Sequence, residues 1–142
     1  MPSEKALQRA TELARLIGGV RRQIRGRVAK VLGQRDVSLP EWQVIANVRW
    51  QGAMTQAALA EHIGMHAAGV SRLLDGLEGR GLIRRVADAD DRRCITVHLT
   101  ARGEAWYART HVAPMTELHE VMSRLNRAEQ AVLARLLLKL VG

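Results

Sequence analysis

The chain has 142 residues, enough for one domain with its own hydrophobic core. It carries 22 Lys and Arg against 14 Asp and Glu, a formal net charge of +8, which favours a polyanionic partner such as nucleic acid. A single cysteine, Cys94, excludes an intrachain disulfide and indicates a reducing compartment. No apolar run reaches membrane-spanning length and the first residues lack the apolar core of a signal peptide, so we expect a cytoplasmic protein without a membrane partner.

The first predicted element is one long amphipathic helix over roughly Lys5 to Gly33. Apolar residues recur there at three- and four-residue steps from Leu7 to Val31. The polar side of this helix carries Arg21, Arg22, Arg25, Arg27 and Lys30. The simple interpretation is that these cations form a solvent-exposed face of the helix. The helix itself is too long for a small domain to cover, so a second chain is its natural partner.

The second predicted helix begins after Ser38, because Ser38, Pro40 and Glu41 form a capping box with proline in the first turn. It ends at Gly52. Its inward positions are Trp42, Ile45, Val48 and Ala46.

Two shorter helices follow. Thr55 is a suitable N-cap for a helix over Gln56 to Ile63, Gly64 permits a tight turn, and a further helix runs from about His66 to Gly79, where Gly81 provides a stop. Two short helices around a glycine turn are typical of a helix-turn-helix.

Residues 81–103 predict a β-hairpin with a basic tip. The alternation of Ile95, Val97 and Leu99 with polar residues marks a half-buried strand. An Asp-rich turn precedes that strand and carries Arg92 and Arg93. A hairpin of this kind after a helix-turn-helix predicts a winged helix-turn-helix, in which the hairpin is the wing.

The chain ends in two more predicted helices. Thr100 caps one that runs from Ala101 to about Ser123, and Pro114 is expected to kink or locally break it. The last helix has a wide apolar stripe between Leu125 and Leu140. The stripes of the first and last helices exceed what a compact winged-helix core needs, so we expect them to pair in a homodimer.

In a helix-turn-helix the N-terminal residues of the second helix meet the base edges in the major groove. The predicted DNA-binding residues of that helix are His66, Ala67, Ala68, Gly69, Ser71 and Arg72. Arg72 is suited to bidentate hydrogen bonding with guanine, and a phosphate contact is the alternative. Arg92 and Arg93 suit a narrow minor groove, with Asp91 orienting a wing arginine through a fork-shaped salt bridge.

Several of these motifs together resemble the MarR (multiple antibiotic resistance regulator) family of transcription factors. The wing pattern of the family is matched by Asp91, Arg93, Val97, Leu99, Thr100 and Gly103. Residues 54–60 and 71–82 resemble its helix-turn-helix. Two positions depart from the family pattern. Gly69 stands where the family often has Thr or a bulkier residue, and His66 stands where it frequently has Ser.

The resemblance implies a mainly α (α+β) winged helix-turn-helix with long N- and C-terminal dimerisation helices. It implies one MarR-like domain over 1–142, with about 1–35 and 101–142 for dimerisation and about 38–100 as the DNA-binding lobe. Members are homodimers that bind pseudo-palindromic operators in double-stranded DNA, usually as repressors. Many release DNA on binding a small, often phenolic or aromatic, acid.

An effector of this type needs a pocket between the dimerisation helices and the DNA-binding lobe. The candidate ligand-binding residues are Val20, Ile24, Trp42, Arg49 and Trp50. Arg49 is placed to pair with a ligand carboxylate. The two tryptophans are otherwise ordinary core or rim residues.

Redox, metal and catalytic functions find less support in the sequence. Cys94 lies beside two arginines, which favours a reactive thiolate, although a small strand residue is the simpler interpretation. The acidic and histidine side chains of residues 111–120 lack regular ligand spacing because Pro114 interrupts them. No nucleophile–base pair or glycine-rich phosphate loop is present. We therefore expect no cofactor, no metal and no enzyme activity.

Two other functions remain open at this point. The chain fits a sequence-tolerant architectural DNA-binding protein, because the tip of the recognition helix is only weakly polar. It also fits a winged-helix module for protein–protein interaction.

Overall fold

The computed structural model describes residues 1–142 and shows seven α-helices around a small antiparallel sheet. The helices are α1 Glu4–Gly33, α2 Leu39–Gln51, α3 Gln56–Ile63, α4 Ala67–Gly79, α5 Ala101–Thr110, α6 Val112–Met122 and α7 Arg127–Val141. The strands are β1 Met54–Thr55, β2 Ile83–Ala87 and β3 Ile95–Leu99. This is the predicted mainly helical winged helix-turn-helix.

Helix boundaries agree with the local sequence signals. Ser38 Oγ accepts a hydrogen bond from the Glu41 N–H at 3.2 Å, and Thr55 Oγ1 accepts one from the Ala58 N–H at 3.1 Å. Each bond satisfies a donor that the first helical turn leaves without a partner. Gly64 ends α3 with a φ of 73°, the left-handed conformation that glycine adopts without strain. The turn between α3 and α4 is therefore built as the sequence predicts.

The sheet contains one strand that the sequence did not predict. The strand order is β1-β3-β2, so β3 is the central strand. Val97 of β3 lies opposite Met54 of β1 on one side and opposite Arg85 of β2 on the other. β1 has only two residues, too few to show an alternation of apolar and polar side chains. β1 is recognised as a strand only by its pairing with β3.

The predicted helix over residues 101–123 is divided at His111 into α5 and α6. Pro114 explains the position of the break, because its nitrogen has no hydrogen to donate to the carbonyl of Thr110. In α6 it lies in the first turn, where no such bond is needed.

The core lies between the helix-turn-helix and the sheet. Its fully enclosed members include Val44, Ile45, Leu59, Val70, Leu74 and Val97. Val28 and Leu32 extend it to the C-terminal end of α1, and Trp106 extends it to α5. By contrast, α7 has no buried residue at all. None of the helices has the length and apolar character needed to cross a membrane.

Candidate nucleic-acid interface

The N-terminal end of α4 presents a small, open surface. His66, Ala67, Ala68 and Arg72 are exposed, whereas Gly69 and Ser71 are half-buried. His66 occupies the N-cap position without a side-chain hydrogen bond to the helix, so its imidazole has no capping role. A Cβ at Gly69 would lie 3.2 Å from Met65 Cε. The glycine therefore lets Met65 pack against the start of this helix.

The wing loop between β2 and β3 is held by aspartate side chains. Asp88 Oδ1 accepts hydrogen bonds from the N–H groups of Asp90 at 2.8 Å and Asp91 at 3.2 Å. Asp91 Oδ1 accepts one from the N–H of Arg93 at 3.0 Å. Such bonds from Asp to nearby N–H groups stabilise turns. Arg92 and Arg93 are exposed at this tip.

The fork-shaped salt bridge expected for Asp91 is not formed. Its carboxylate binds the backbone of Arg93 and not the guanidinium group. Because the nearest donor to a turn aspartate is the N–H two residues later, the local bond prevails over the longer one. Asp91 thus shapes the loop from which Arg93 projects, and the guanidinium remains available to solvent.

The recognition helix and the wing meet across one crevice of about 390 Å³. It is lined by Thr55, Gln56, Ala57, Ala60, Ala67, Asp91, Arg93, Cys94 and Ile95. Ala67 at the start of α4 and Arg93 on the wing therefore border the same space. Gln56 Oε1 is buried there without a hydrogen-bond partner. The fold thus brings together two groups of predicted residues that lie about 25 positions apart.

The base of the wing is attached to α4 by Arg85. Its backbone N–H donates to Glu78 Oε2 at 2.8 Å, its Nε donates to Glu78 Oε1 at 3.3 Å, and its Nη2 binds Asp75. The hydrogen bonds from the Arg85 backbone and then from its guanidinium hold the pKa of Glu78 below the ordinary value of 4.5. The Asp75 carboxylate chiefly, followed by Glu78, raises the pKa of Arg85. This ion-pair network joins the wing to the recognition helix.

The wing is also attached to α5, by a close backbone contact where β2 begins and β3 ends. The Thr100 N–H donates to the Leu82 carbonyl at 3.2 Å, and Thr100 Oγ1 accepts from the Gly103 N–H at 3.0 Å. A Cβ at Gly103 would lie only 2.1 Å from the Leu82 oxygen. Glycine is required here because the helix and the backbone leave no room for a side chain.

Sequence reasoning missed the role of Arg85. Period-two alternation places it on the same face of β2 as the buried Ile83. A charged residue on an inward face needs partners, and Asp75 and Glu78 are three positions apart on one side of α4. These two signals together were sufficient to predict the network.

Three of the five predicted ligand-binding residues lie together in an aromatic cluster. Trp42 stacks on Tyr107 with ring centroids 5.7 Å apart and meets Trp50 edge-on at 6.2 Å. Trp50 Nε1 donates to Tyr107 Oη at 2.9 Å. Arg49 lies over the Tyr107 ring at 5.4 Å and pairs with Glu104 at 3.0 Å. Tyr107 is the centre of this cluster and was not predicted.

The other two residues differ in their surroundings. Val20 is 48% exposed on α1, whereas Ile24 is half-buried against the core. None of the five predicted residues lines the crevice between the recognition helix and the wing.

The two carboxylates of α6, and His111 just before that helix, have structural partners. Arg27 of α1 donates to Glu117 at 2.7 Å and to Glu120 at 2.5 Å, which raises the pKa of Arg27, chiefly through the bond to Glu117. His111 stacks on Tyr107 at 4.9 Å. The carboxylates therefore connect α6 to α1.

A helix-turn-helix with an attached basic wing defines the winged-helix class of transcriptional regulators. The MarR family model matches residues 37–95, from the start of α2 to the start of β3. The chain is 27% identical over 127 residues to the multiple antibiotic resistance protein MarR of Salmonella typhimurium, covering 89% of this chain and 88% of that protein. It is 31% identical over 107 residues to the transcriptional regulator HosA of Escherichia coli O157:H7, covering 75% and 79%.

Solved structures agree with these relatives. A mutant MarR from E. coli, complexed with operator DNA, has a TM-score of 0.74 and 25% identity, covering 92% of this chain and 94% of the other. This chain belongs to the MarR family, and its relatives are regulators of transcription.

Proposed function

We propose that this protein is a homodimeric repressor that binds a pseudo-palindromic operator in double-stranded DNA and is released by a small acidic ligand. The observation that carries the proposal is that Ala67 of the recognition helix and Arg93 of the wing line the same crevice. The recognition helix and the wing therefore lie on one face of the protein. The net charge of +8 favours a phosphate backbone as partner. Operator DNA bound to a MarR of the same fold supports it further.

Contacts with DNA follow from the exposed residues of that face. Residues 66–69 and Ser71 enter the major groove at the start of α4, with Arg72 bonding a guanine edge. Arg92 and Arg93 on the wing enter the adjacent minor groove. Arg85 keeps the two elements at a constant separation through Asp75 and Glu78.

Dimerisation is supported by apolar surface that the single chain leaves uncovered. Helix α1 exposes Leu7, Leu13, Leu16, Ile17 and Val20, and α7 exposes Val132, Leu133, Leu136, Leu137, Leu138, Leu140 and Val141. Exposed apolar stripes of this kind on two helices are typical of an interface. Residues 1–35 and 101–142 then hold the two copies together, residues 38–100 form each DNA-binding lobe, and two-fold symmetry matches a palindromic site.

In this proposal the ligand binds at the aromatic cluster. Trp50 is 49% exposed there, and the Arg49 guanidinium lies beside both an aromatic face and a carboxylate. A phenolic or aromatic acid has the same two chemical features. It competes with Glu104 for Arg49 while its ring packs against Trp50.

Fluorescence anisotropy across a salt series tests the DNA part of this proposal. Labelled DNA from upstream of the protein's own gene is compared with a scrambled duplex of the same composition. Operator-specific repression predicts that binding to the upstream DNA survives an excess of the scrambled competitor. Equal affinity for both duplexes would instead favour a sequence-tolerant architectural protein, the second candidate, which the alanines at positions 67 and 68 favour. Absence of binding to a genome-wide fragment library would refute both and leave a protein–protein module.

A further inference from the structure

A second cavity, of about 300 Å³, lies where α4, the wing and α5 join. It is lined by Gly79, Arg80, Leu82, Arg102, Trp106 and Arg109. We propose that this arginine cleft is a binding site for a small phosphate or carboxylate anion that carries at least two negative charges. The proposal goes beyond the function argued above and does not rest on it.

The charge of the arginine cleft is strongly positive. Three guanidinium groups line it, and a fourth lies at its edge because Arg35 Nη1 donates to the Arg109 carbonyl at 2.9 Å. The carboxylate that pairs with this group of cations is Glu41, which binds Arg80 at 2.9 Å. Guanidinium groups recognise carboxylate and phosphate oxygens through paired hydrogen bonds. An anion with several oxygens would neutralise the excess charge.

The floor of the arginine cleft is apolar. Leu82 and Trp106 are only 3% and 7% exposed, so both are firmly packed. Gly79 contributes no side chain and leaves the cleft wide at one end. The Arg102 side chain lies across Gly81, where a Cβ would be 3.6 Å from Arg102 Cδ. An apolar floor under a few convergent polar groups is the usual construction of a small-molecule site.

The position of the arginine cleft argues against DNA as its occupant. Arg80 caps the C-terminal end of α4, and the predicted base contacts lie at the N-terminal end. The 13 residues of α4 separate the two ends by about 20 Å at the rise of an α-helix. A ligand here would instead connect Arg80 at the C-terminal end of α4 with Arg102 and Arg109 of α5.

Isothermal titration of the full-length protein in physiological salt tests the site. Sodium pyrophosphate and trisodium citrate are the two probes, one for phosphate and one for carboxylate chemistry. Saturable binding of either, at one anion per chain, is expected. Arg102→Gln and Arg109→Gln should each weaken it by about tenfold, as loss of a charge-assisted hydrogen bond predicts. Both arginines are exposed, so the variants should unfold at the wild-type temperature.

Arg124→Gln is the matched control, because this exposed arginine between α6 and α7 carries the same charge and lies outside the arginine cleft. It should leave the affinity unchanged. An equal loss in Arg124→Gln would show general attraction to a cationic chain and overturn the proposal. Loss in Arg93→Gln with retention in Arg102→Gln would place the anion on the DNA-binding face and overturn it as well. The proposal is also overturned if neither anion binds saturably.

Discussion

Replacing Gly103 by alanine is expected to destabilise the protein, although the same change inside a helix is ordinarily favourable. The new Cβ would lie 2.1 Å from the Leu82 oxygen, about 0.9 Å inside the 3.0 Å that real Cβ atoms essentially never cross. The contact is with backbone, which does not rotate away. Helix α5 must therefore move from β2, stretching the hydrogen bond from the Thr100 N–H to the Leu82 carbonyl.

The expected magnitude follows from three opposing terms. Alanine gains about 0.8–1 kcal/mol over glycine in a helix. Overpacking costs about 1–3 kcal/mol, and weakening one backbone hydrogen bond costs up to about 1 kcal/mol. The three terms together give a net loss of between about 0 and 3 kcal/mol, centred on about 1.5 kcal/mol, in the free energy of unfolding of Gly103→Ala.

Urea unfolding followed by circular dichroism, at one fixed protein concentration, measures this loss. Gly76→Ala in α4 is the matched control, because a Cβ there meets no heavy atom within 4 Å. The control should gain up to about 1 kcal/mol from helix propensity. If Gly103→Ala stabilises the protein as much as Gly76→Ala does, the proposed contact between helix and wing does not constrain this structure.

Four further substitutions have defined outcomes. Because Arg85 lowers the pKa of Glu78, the stabilisation by this carboxylate is complete above its ordinary pKa of 4.5 and is lost as pH falls below that value. The difference in unfolding free energy between wild type and Glu78→Gln, measured by urea unfolding, should therefore shrink as the pH falls below 4.5. A difference that stays constant over this range contradicts the reasoning. Arg93→Ala should weaken binding to every DNA sequence and lower the salt slope by about 1, whereas Arg72→Ala should relax base preference at one position per half-site, both measured by anisotropy. Wild-type behaviour in both variants would refute these contacts. Leu137→Glu places a charge on the exposed apolar face of α7 and should convert the proposed dimer to a single chain of 15.8 kDa in sedimentation. An unchanged mass would exclude that face from the interface.

The arginines show how far sequence alone reaches for the candidate site. Arg92 and Arg93 were recognised because a turn signal and a strand alternation flank them within a few residues. Arg85 was missed, since its partners Asp75 and Glu78 lie on another element. Asp91 was assigned the wrong bond, because the choice between a guanidinium and a backbone N–H depends on the conformation of the loop.

Local signals in the sequence determined the helices, the turn at Gly64 and the hairpin, because caps, glycines and apolar periodicity act over a few residues. Tertiary structure alone decided the pairing of β1 with β3, the stacking of Trp42 on Tyr107, and the meeting of Arg80 at the end of α4 with two arginines of α5 in one cleft. These contacts join residues that are distant along the chain. Their geometry depends on how whole elements pack around the shared core, and no short stretch of sequence contains that information.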